Sequence, residues 1–493
     1  MASTIQNQGD QADPAAEVCV VGAGPAGITL ARALGVAGVS VTLLESGSSP
    51  ASPLDQALND GDVEGETYAG LRSTRARGFG GTTNIWDVEI GNNRGAKYAP
   101  LDACDMKSWP IGWDALAPFY VQAQHVCGLG RFAYEAADWA TDTSGPFDLR
   151  DTGLSSRVYQ FATAQRFTHE LRDELRRIDN VRIVSAATVT GLVLNASQRA
   201  VLGVQIAQAD GSVTELRAKR VVLACGAVEN ARLLLLAGLG AGSTWLGRGF
   251  MEHARDFSLT LVPESPALFA RAAFYDLNTA SCGTMIGGRL SLRADAIERF
   301  DIPNAAITLI PKQAADTSSR LRQLLRRLSG SSPRARSRYG WSRQPDRVFT
   351  EFGMVLNLEQ RPEWQNRVQL GDRRDRFGNQ LPHLCLHWSD AEQARLDRLR
   401  GLLGEWFASA GLGSLRFERG RRPDLSAHHH AGTTRMSDRA DDGVVNTHGV
   451  VFGVENLYVT GASVMPTAGF ANPTLTIVAL ALRLAQHLSA TRS

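Results

Sequence analysis

The chain has 493 residues, enough for two or three domains or one large composite. Hydrophobic residues make up 43% and charged ones 21%, the composition of a globular protein that buries a large core. With 52 Lys and Arg against 50 Asp and Glu the formal net charge is +2, which excludes the dominant basic surface of a general nucleic-acid binder. Glycine is the outlier: 48 residues, where a usual content of ~7% gives roughly 35. Residues 1–14 are polar and carry no signal-like apolar region, so a disordered tail is expected there. The six cysteines are scattered, with no CxxC and no metal-like spacing; several sit in apolar runs and read as small buried thiols, and a reducing cytoplasm is expected. No metal is expected, and no apolar run is long enough to predict a membrane span.

Residues 17–47 read EVCVVGAGPAGITLARALGVAGVSVTLLESG. An apolar strand at 18–21 leads into Gly22-Ala-Gly24-Pro-Ala-Gly27, then an apolar helical pattern, then a second strand ending at Glu45. Pro25 fits the first turn of the helix, where a missing N–H costs nothing. This strand–turn–helix–strand–acid unit predicts a dinucleotide site of Rossmann type. Gly22 makes the turn, Gly24 admits the pyrophosphate, Gly27 lets helix and strand pack closely, and Glu45 accepts from a ribose hydroxyl. The motif does not separate FAD from NAD.

Residues 77–86, RGFGGTTNIW, place Gly78, Gly80 and Gly81 within four positions. Two readings fit: an ordinary surface loop, or backbone lying flat on a cofactor with the Thr82 and Thr83 hydroxyls available to it. Its place one linker after Glu45 favours the cofactor. The stretch AATVTGLVLN…VLGVQIAQADGSVTELRAKRVVLACG alternates apolar and polar residues around a Gly turn and predicts a β-hairpin beside the cofactor domain. Residues 319–347 hold nine arginines and one acid, Asp346, with an amphipathic helix predicted over 319–328. A solvated surface helix and loop is the simplest reading. A lid, or a site for an acidic partner or phosphorylated substrate, is the other.

The last 70 residues are densest in chemistry. HHHAGTTRM at 428–436 is a solvated loop, an opportunistic metal patch or a catalytic segment. Residues 457–463, LYVTGAS, predict a strand running into a glycine turn, and Asn472-Pro473 opens a helix. Asn472 suits an N-cap through its carbonyl oxygen, which leaves its amide NH₂ free to face a substrate.

Together these motifs resemble the glucose–methanol–choline (GMC) family of FAD-dependent oxidoreductases, over nearly the whole chain. WPIGWDALAPFY at 109–120, VVLACGAVENARLLLLAG at 221–238, LGRGFMEH at 246–253 and EQRPEWQNRVQLGDRRDRFG at 359–378 extend the likeness in order. The C-terminal segment looks closest to the pyranose-oxidase and bacterial sugar-dehydrogenase branches. The resemblance implies an α/β fold: a Rossmann-like FAD domain (15–100, 180–255 and 425–493) and a discontinuous α+β substrate domain (101–179 and 256–424) whose sheet roofs the flavin. It places the catalytic base on His429, three residues before Gly432 of the GT pair, and its partner on Asn472. His428 and His430 then serve as supporting or packing residues. Thr474, Asn84, Trp86 and Val189 of the middle hairpin join the implied FAD contacts.

Two departures matter. Ile85 stands where pyranose oxidases often carry the histidine that tethers FAD, so non-covalent FAD is expected. Gly461 stands where many members have Asp, so contact there is expected from the backbone N–H groups of Gly461 and Ala462. The implied reaction is oxidation of a primary or secondary alcohol of a sugar, glycoside or sugar-bearing natural product, by hydride transfer to flavin N5 with His429 as base. Molecular oxygen or another acceptor would reoxidise the flavin. The alternatives are a flavin-retaining lyase using His429 without redox chemistry, and a non-catalytic protein with a vestigial cofactor site. An NAD-dependent dehydrogenase leaves the C-terminal residues unexplained.

Overall fold

The computed structural model describes residues 16–49, 51–208, 210–239, 243–313, 339–343 and 348–491. The expected N-terminal tail, and the arginine-rich segment apart from 339–343, lie outside the described residues.

The nucleotide-type sheet grows outward from the first strand. Ala16–Val21, apolar and almost wholly buried, pairs in parallel with Val41–Leu44 on one side and Val213–Leu223 on the other. Val181–Val184 and Leu457–Val459 extend this parallel core at its two ends. The outer half of Val213–Leu223 turns antiparallel against Val201–Ala207, which pairs with Thr188–Leu194, forming the predicted hairpin. Helices cover the sheet, as parallel strands buried on both faces require. Pro25–Val36 starts with Pro25 in its first turn and packs against the last helix, Thr474–Ala490.

A second sheet of ten strands is antiparallel throughout, in the order Gly413–Arg416, Thr260–Pro263, Phe349–Leu358, Ala305–Gln313, Met285–Leu292, Leu154–Thr163, Asn93–Tyr98, Val88–Ile90. Ala254–Asp256 and Leu277–Thr279 pair at its flanks. A third sheet joins the hairpin Arg367–Arg374/Gln380–Leu386 to Asp62–Gly65.

Three segments make close contacts across the expected boundaries. Residues 88–98 join the second sheet, because Asn93–Tyr98 pairs with Leu154–Thr163 and Gly95 lies where any side chain would strike the Ala162 carbonyl. Residues 367–386 side with the nucleotide unit, because Arg232 of the helix Gly226–Leu236 forms a buried ion pair with Asp375 (2.6 Å) and donates to the Gln380 carbonyl. The helix Trp113–Cys127 also packs on Thr474–Ala490, with a buried 2.8 Å bond between the Tyr120 and Thr476 hydroxyls. Each segment followed its strongest local partner, which a linear boundary does not register.

Candidate active site

The two glycine loops close on each other. The Gly80 N–H donates to the Ala23 carbonyl (2.8 Å), and Gly81 lies so near Gly24 that an added Cβ would sit 3.0 Å from its Cα. Glu45, 5% exposed, ties them together. One oxygen accepts from the Ala23 N–H (3.0 Å), the other from the N–H groups of Gly47 (2.8 Å) and Gly78 (2.9 Å). Glu45→Ala would leave three buried N–H groups without an acceptor, at about 1–3 kcal/mol each. We expect that variant to lose most of its flavin on gel filtration, read as the flavin-to-protein absorbance ratio.

These loops form one end of a cavity of about 420 Å³. Of the sequence-predicted residues, Gly22, Gly24, Glu45, Gly81, Thr82, Thr83, Trp86, Val189, Gly461, Ala462, Asn472 and Thr474 line it. Gly27, Gly80 and Asn84 do not. Gly27 lies behind the turn, with no room for a Cβ against the Gly22 carbonyl, and Asn84 is exposed and donates to the Phe79 and Gly81 carbonyls. The Thr83 hydroxyl is already committed to the Gly80 carbonyl (2.8 Å). Ile85 lines the cavity beside Trp86, and isoleucine has no atom that forms a flavin bond.

The cavity fits a flavin dinucleotide. Cβ positions built on Gly24 and Gly226 meet no protein atom within 4 Å, so both glycines leave the cradle open where they line it. The N-terminus of Pro25–Val36 faces this space with N–H donors suited to a pyrophosphate. On the next wall stands Glu229. Burial alone would favour its neutral form, but the guanidiniums of Arg232, Arg77 and Arg75 outweigh it and hold the carboxyl at about 2. Arg75 is only 2.6 Å from that carboxylate. Arg75, Arg77 and Glu229 were not singled out in the sequence.

At the far end the segment after Gly432 crosses the segment after Gly249. Gly432 has φ 88°, and a Cβ there would lie 2.3 Å from the Gly249 carbonyl. Met251 and Ala431 exchange backbone hydrogen bonds, and this pairing sets His253 against His429. The two Nδ1 atoms are 2.8 Å apart. His429 Nε2 meets Asn472 Nδ2 at 3.1 Å, so the two residues predicted to work together do meet. Asn472 does not cap the last helix: its Oδ1 is buried without a partner, and the Pro473 carbonyl accepts from the Ile477 N–H instead.

Glu252, fully buried, accepts from the backbone N–H of His429 (2.6 Å) and of His253 (2.9 Å) on one oxygen and from the Tyr68 hydroxyl (3.1 Å) on the other. Burial pushes its carboxyl up to about 8, against the pull of those bonds. His430 turns the other way, toward the Tyr68 hydroxyl (2.5 Å) and the Phe250 ring. His428 lines the cavity with a left-handed backbone, φ 66°, uncommon for a non-glycine residue. Burial, reinforced by His253, Arg255, Lys97 and His428, holds the His429 imidazole well below its ordinary 6.5. Tyr68, Glu252, His253 and Arg255 escaped sequence reasoning. The one available signal was an adjacent acid and histidine ending the apolar run in LGRGFMEH.

The cavity, together with the GMC oxidoreductase and FAD-binding matches of the chain, defines an FAD-dependent oxidoreductase acting on alcohols. Residues 160–255 and 362–481 match the two sequence models described as GMC oxidoreductase, and residues 15–58 match one described as FAD binding domain. The chain belongs to the GMC oxidoreductase family.

Paromamine 6'-oxidase of Streptomyces fradiae is 25% identical, over 96% of this chain and 91% of that protein. The C-glycoside 3-oxidase of Microbacterium trichothecenolyticum is 37% identical, over 25% of this chain and 24% of its own. Among solved structures, pyridoxine 4-oxidase superposes with a TM-score of 0.59 at 16% identity, covering 97% of this chain and 100% of that one. Formate oxidase of Aspergillus oryzae RIB40 gives 0.57, also at 16% identity, with 97% and 99% covered. Both structures share the fold. No helix among the described residues is long and apolar enough to cross a membrane.

Proposed function

We propose that the enzyme oxidises a primary or secondary alcohol of a sugar, glycoside or sugar-bearing natural product to the carbonyl, with His429 as base. The observation that carries this is the contact of His429 Nε2 with Asn472 Nδ2 on the cavity wall, backed by His253. The sugar and glycoside oxidases among its relatives support the substrate class.

One of the two facing Nδ1 atoms carries a hydrogen and the other a lone pair. The Asn357 amide Nδ2, 3.4 Å from His253 Nδ1, favours that atom as an acceptor. His429 then carries its own hydrogen on Nδ1 and keeps the Nε2 lone pair toward the cavity. An alcohol entering between Nε2 and the Asn472 amide gives its proton to the first and accepts from the second, which holds the alkoxide oxygen as the C–H bond weakens. FAD held in this cavity would supply the electron sink for the hydride, and would pass the electrons on to molecular oxygen or another acceptor.

The test is anaerobic mixing of the yellow holoenzyme with a panel of sugars, glycosides and amino sugars, followed by oxygen and a peroxide assay. Bleaching by at least one member is the expected result. Turnover of such a compound without bleaching would point to non-redox chemistry and overturn the proposal.

A further inference from the structure

We propose that Glu64, His383 and Cys385 form a binding site for a divalent transition-metal ion of the Zn²⁺ type, separate from the residues proposed for the alcohol chemistry. His383 and Cys385 are two apart on the strand Gln380–Leu386 and therefore project from the same face. The parallel register sets Cys385 beside Glu64 and His383 beside Asp62, bringing together ligands some 320 residues apart in the chain. His383 Nε2 lies 3.1 Å from Glu64 Oε2, and Cys385 Sγ lies 3.7 Å from the same oxygen. All three donor atoms fall within 4.8 Å of one another.

Tetrahedral coordination with bonds of ~2.0–2.3 Å separates donor atoms by roughly 3.3–3.6 Å, so the cluster needs little adjustment to hold an ion. One imidazole, one sulfur and one carboxylate make a borderline-soft set, which suits Zn²⁺ or Co²⁺ and not Mg²⁺ or Ca²⁺. Cys385 is a free thiol. The Glu64 side chain is 63% exposed, which leaves a solvent-facing position for a water as fourth ligand. On binding, the Sγ–metal bond forms as the S–H bond breaks and the proton leaves to solvent. There is no change of oxidation state, and affinity rises with pH.

The strand Asp62–Gly65 runs on to Tyr68, which touches Glu252 and His430. A metal clamp between Glu64 and Gln380–Leu386 would stiffen the segment that delivers Tyr68 to the active site.

The experiment is a Co²⁺ titration of the untagged holoenzyme, followed as a difference spectrum against the metal-free flavoprotein. We expect a thiolate-to-cobalt charge-transfer band that saturates at one equivalent per chain. It should be absent in Cys385→Ser and at least tenfold weaker in apparent affinity in Glu64→Ala, whose exposed side chain leaves folding intact. Zn²⁺ should raise Tm by about 2 °C or more in the parent and not in Cys385→Ser, since binding to the native state alone stabilises it. No band at stoichiometric Co²⁺, or a band that persists in Cys385→Ser, overturns the site. Binding without a thiolate band means that the histidines at 428–430 took the ion, and it overturns the proposal equally. None of these readouts depends on turnover, so failure here is separate from failure of the alcohol-oxidase reading.

Discussion

His429→Ala retains its flavin and is reduced by substrate about a thousandfold more slowly than the parent, within the ~10²–10⁴ that general-base removal costs. Stopped-flow bleaching under anaerobic conditions measures the rate, and the absorbance ratio measures the flavin. His429 Nε2 stands beside the Asn472 amide on the cavity wall, so under the proposed mechanism its loss removes the proton acceptor and leaves the FAD cradle untouched. The pH profile adds a sign. Burial, His253, Arg255, Lys97 and His428 favour the neutral ring, and Glu252 contacts only its backbone N–H. The active form is the unprotonated one. The kcat/KM of the parent therefore stays level from neutral pH down past 6.5, and its acid limb falls below the usual histidine range. A limb at or above 6.5 would show that another group sets the proton transfer, and reduction of the Ala variant at the parental rate would falsify the base assignment.

Gly27→Ala yields no flavin-loaded protein. A methyl group there would lie 1.9 Å from the Gly22 carbonyl oxygen, a backbone atom that moves only with the strand and turn it belongs to. Overpacking of this kind costs about 1–3 kcal/mol or more, and it falls on the turn that the cofactor must approach. Gly24→Ala is the matched control, because its methyl meets no protein atom within 4 Å. It should fold with a Tm near the parent and still bind FAD weakly, because the methyl intrudes on the open cradle. Equal thermal stability in the two variants would show that Gly27 is not a packing position.

The first βαβ unit was legible because its signals are local: a buried strand, glycines at fixed offsets, a proline in the first helical turn and an acid at the next strand end. The pairing of His429 with Asn472 was legible only through family resemblance, since 43 residues separate them and nothing local points from one to the other. What the sequence hid is long-range. Glu252 and His253 reach the site because segment 247–255 pairs with segment 424–433, and Tyr68 arrives from yet another direction. The pairing of Asn93–Tyr98 with Leu154–Thr163, and of Gln380–Leu386 with Asp62–Gly65, has the same origin. A strand's own pattern says that it pairs but not with which partner. Glu45 was read as a ribose acceptor, and the structure adds that the same carboxylate ties together the backbone of both glycine loops.

The docking of Pro25–Val36 against Thr474–Ala490, with Leu457–Val459 completing the parallel core, bears on how the chain is made. The phosphate-binding turn leaves the ribosome well before the strand and helix that finish its surroundings, which follow the second sheet in chain order. Nearly the whole polypeptide must be held unmisfolded until then, because non-local pairing has to wait for its partner. Flavin capture is therefore expected to wait for that strand and helix, and a truncation inside Thr474–Ala490 should yield colourless, aggregation-prone protein even though every residue of the GxGxxG motif is present.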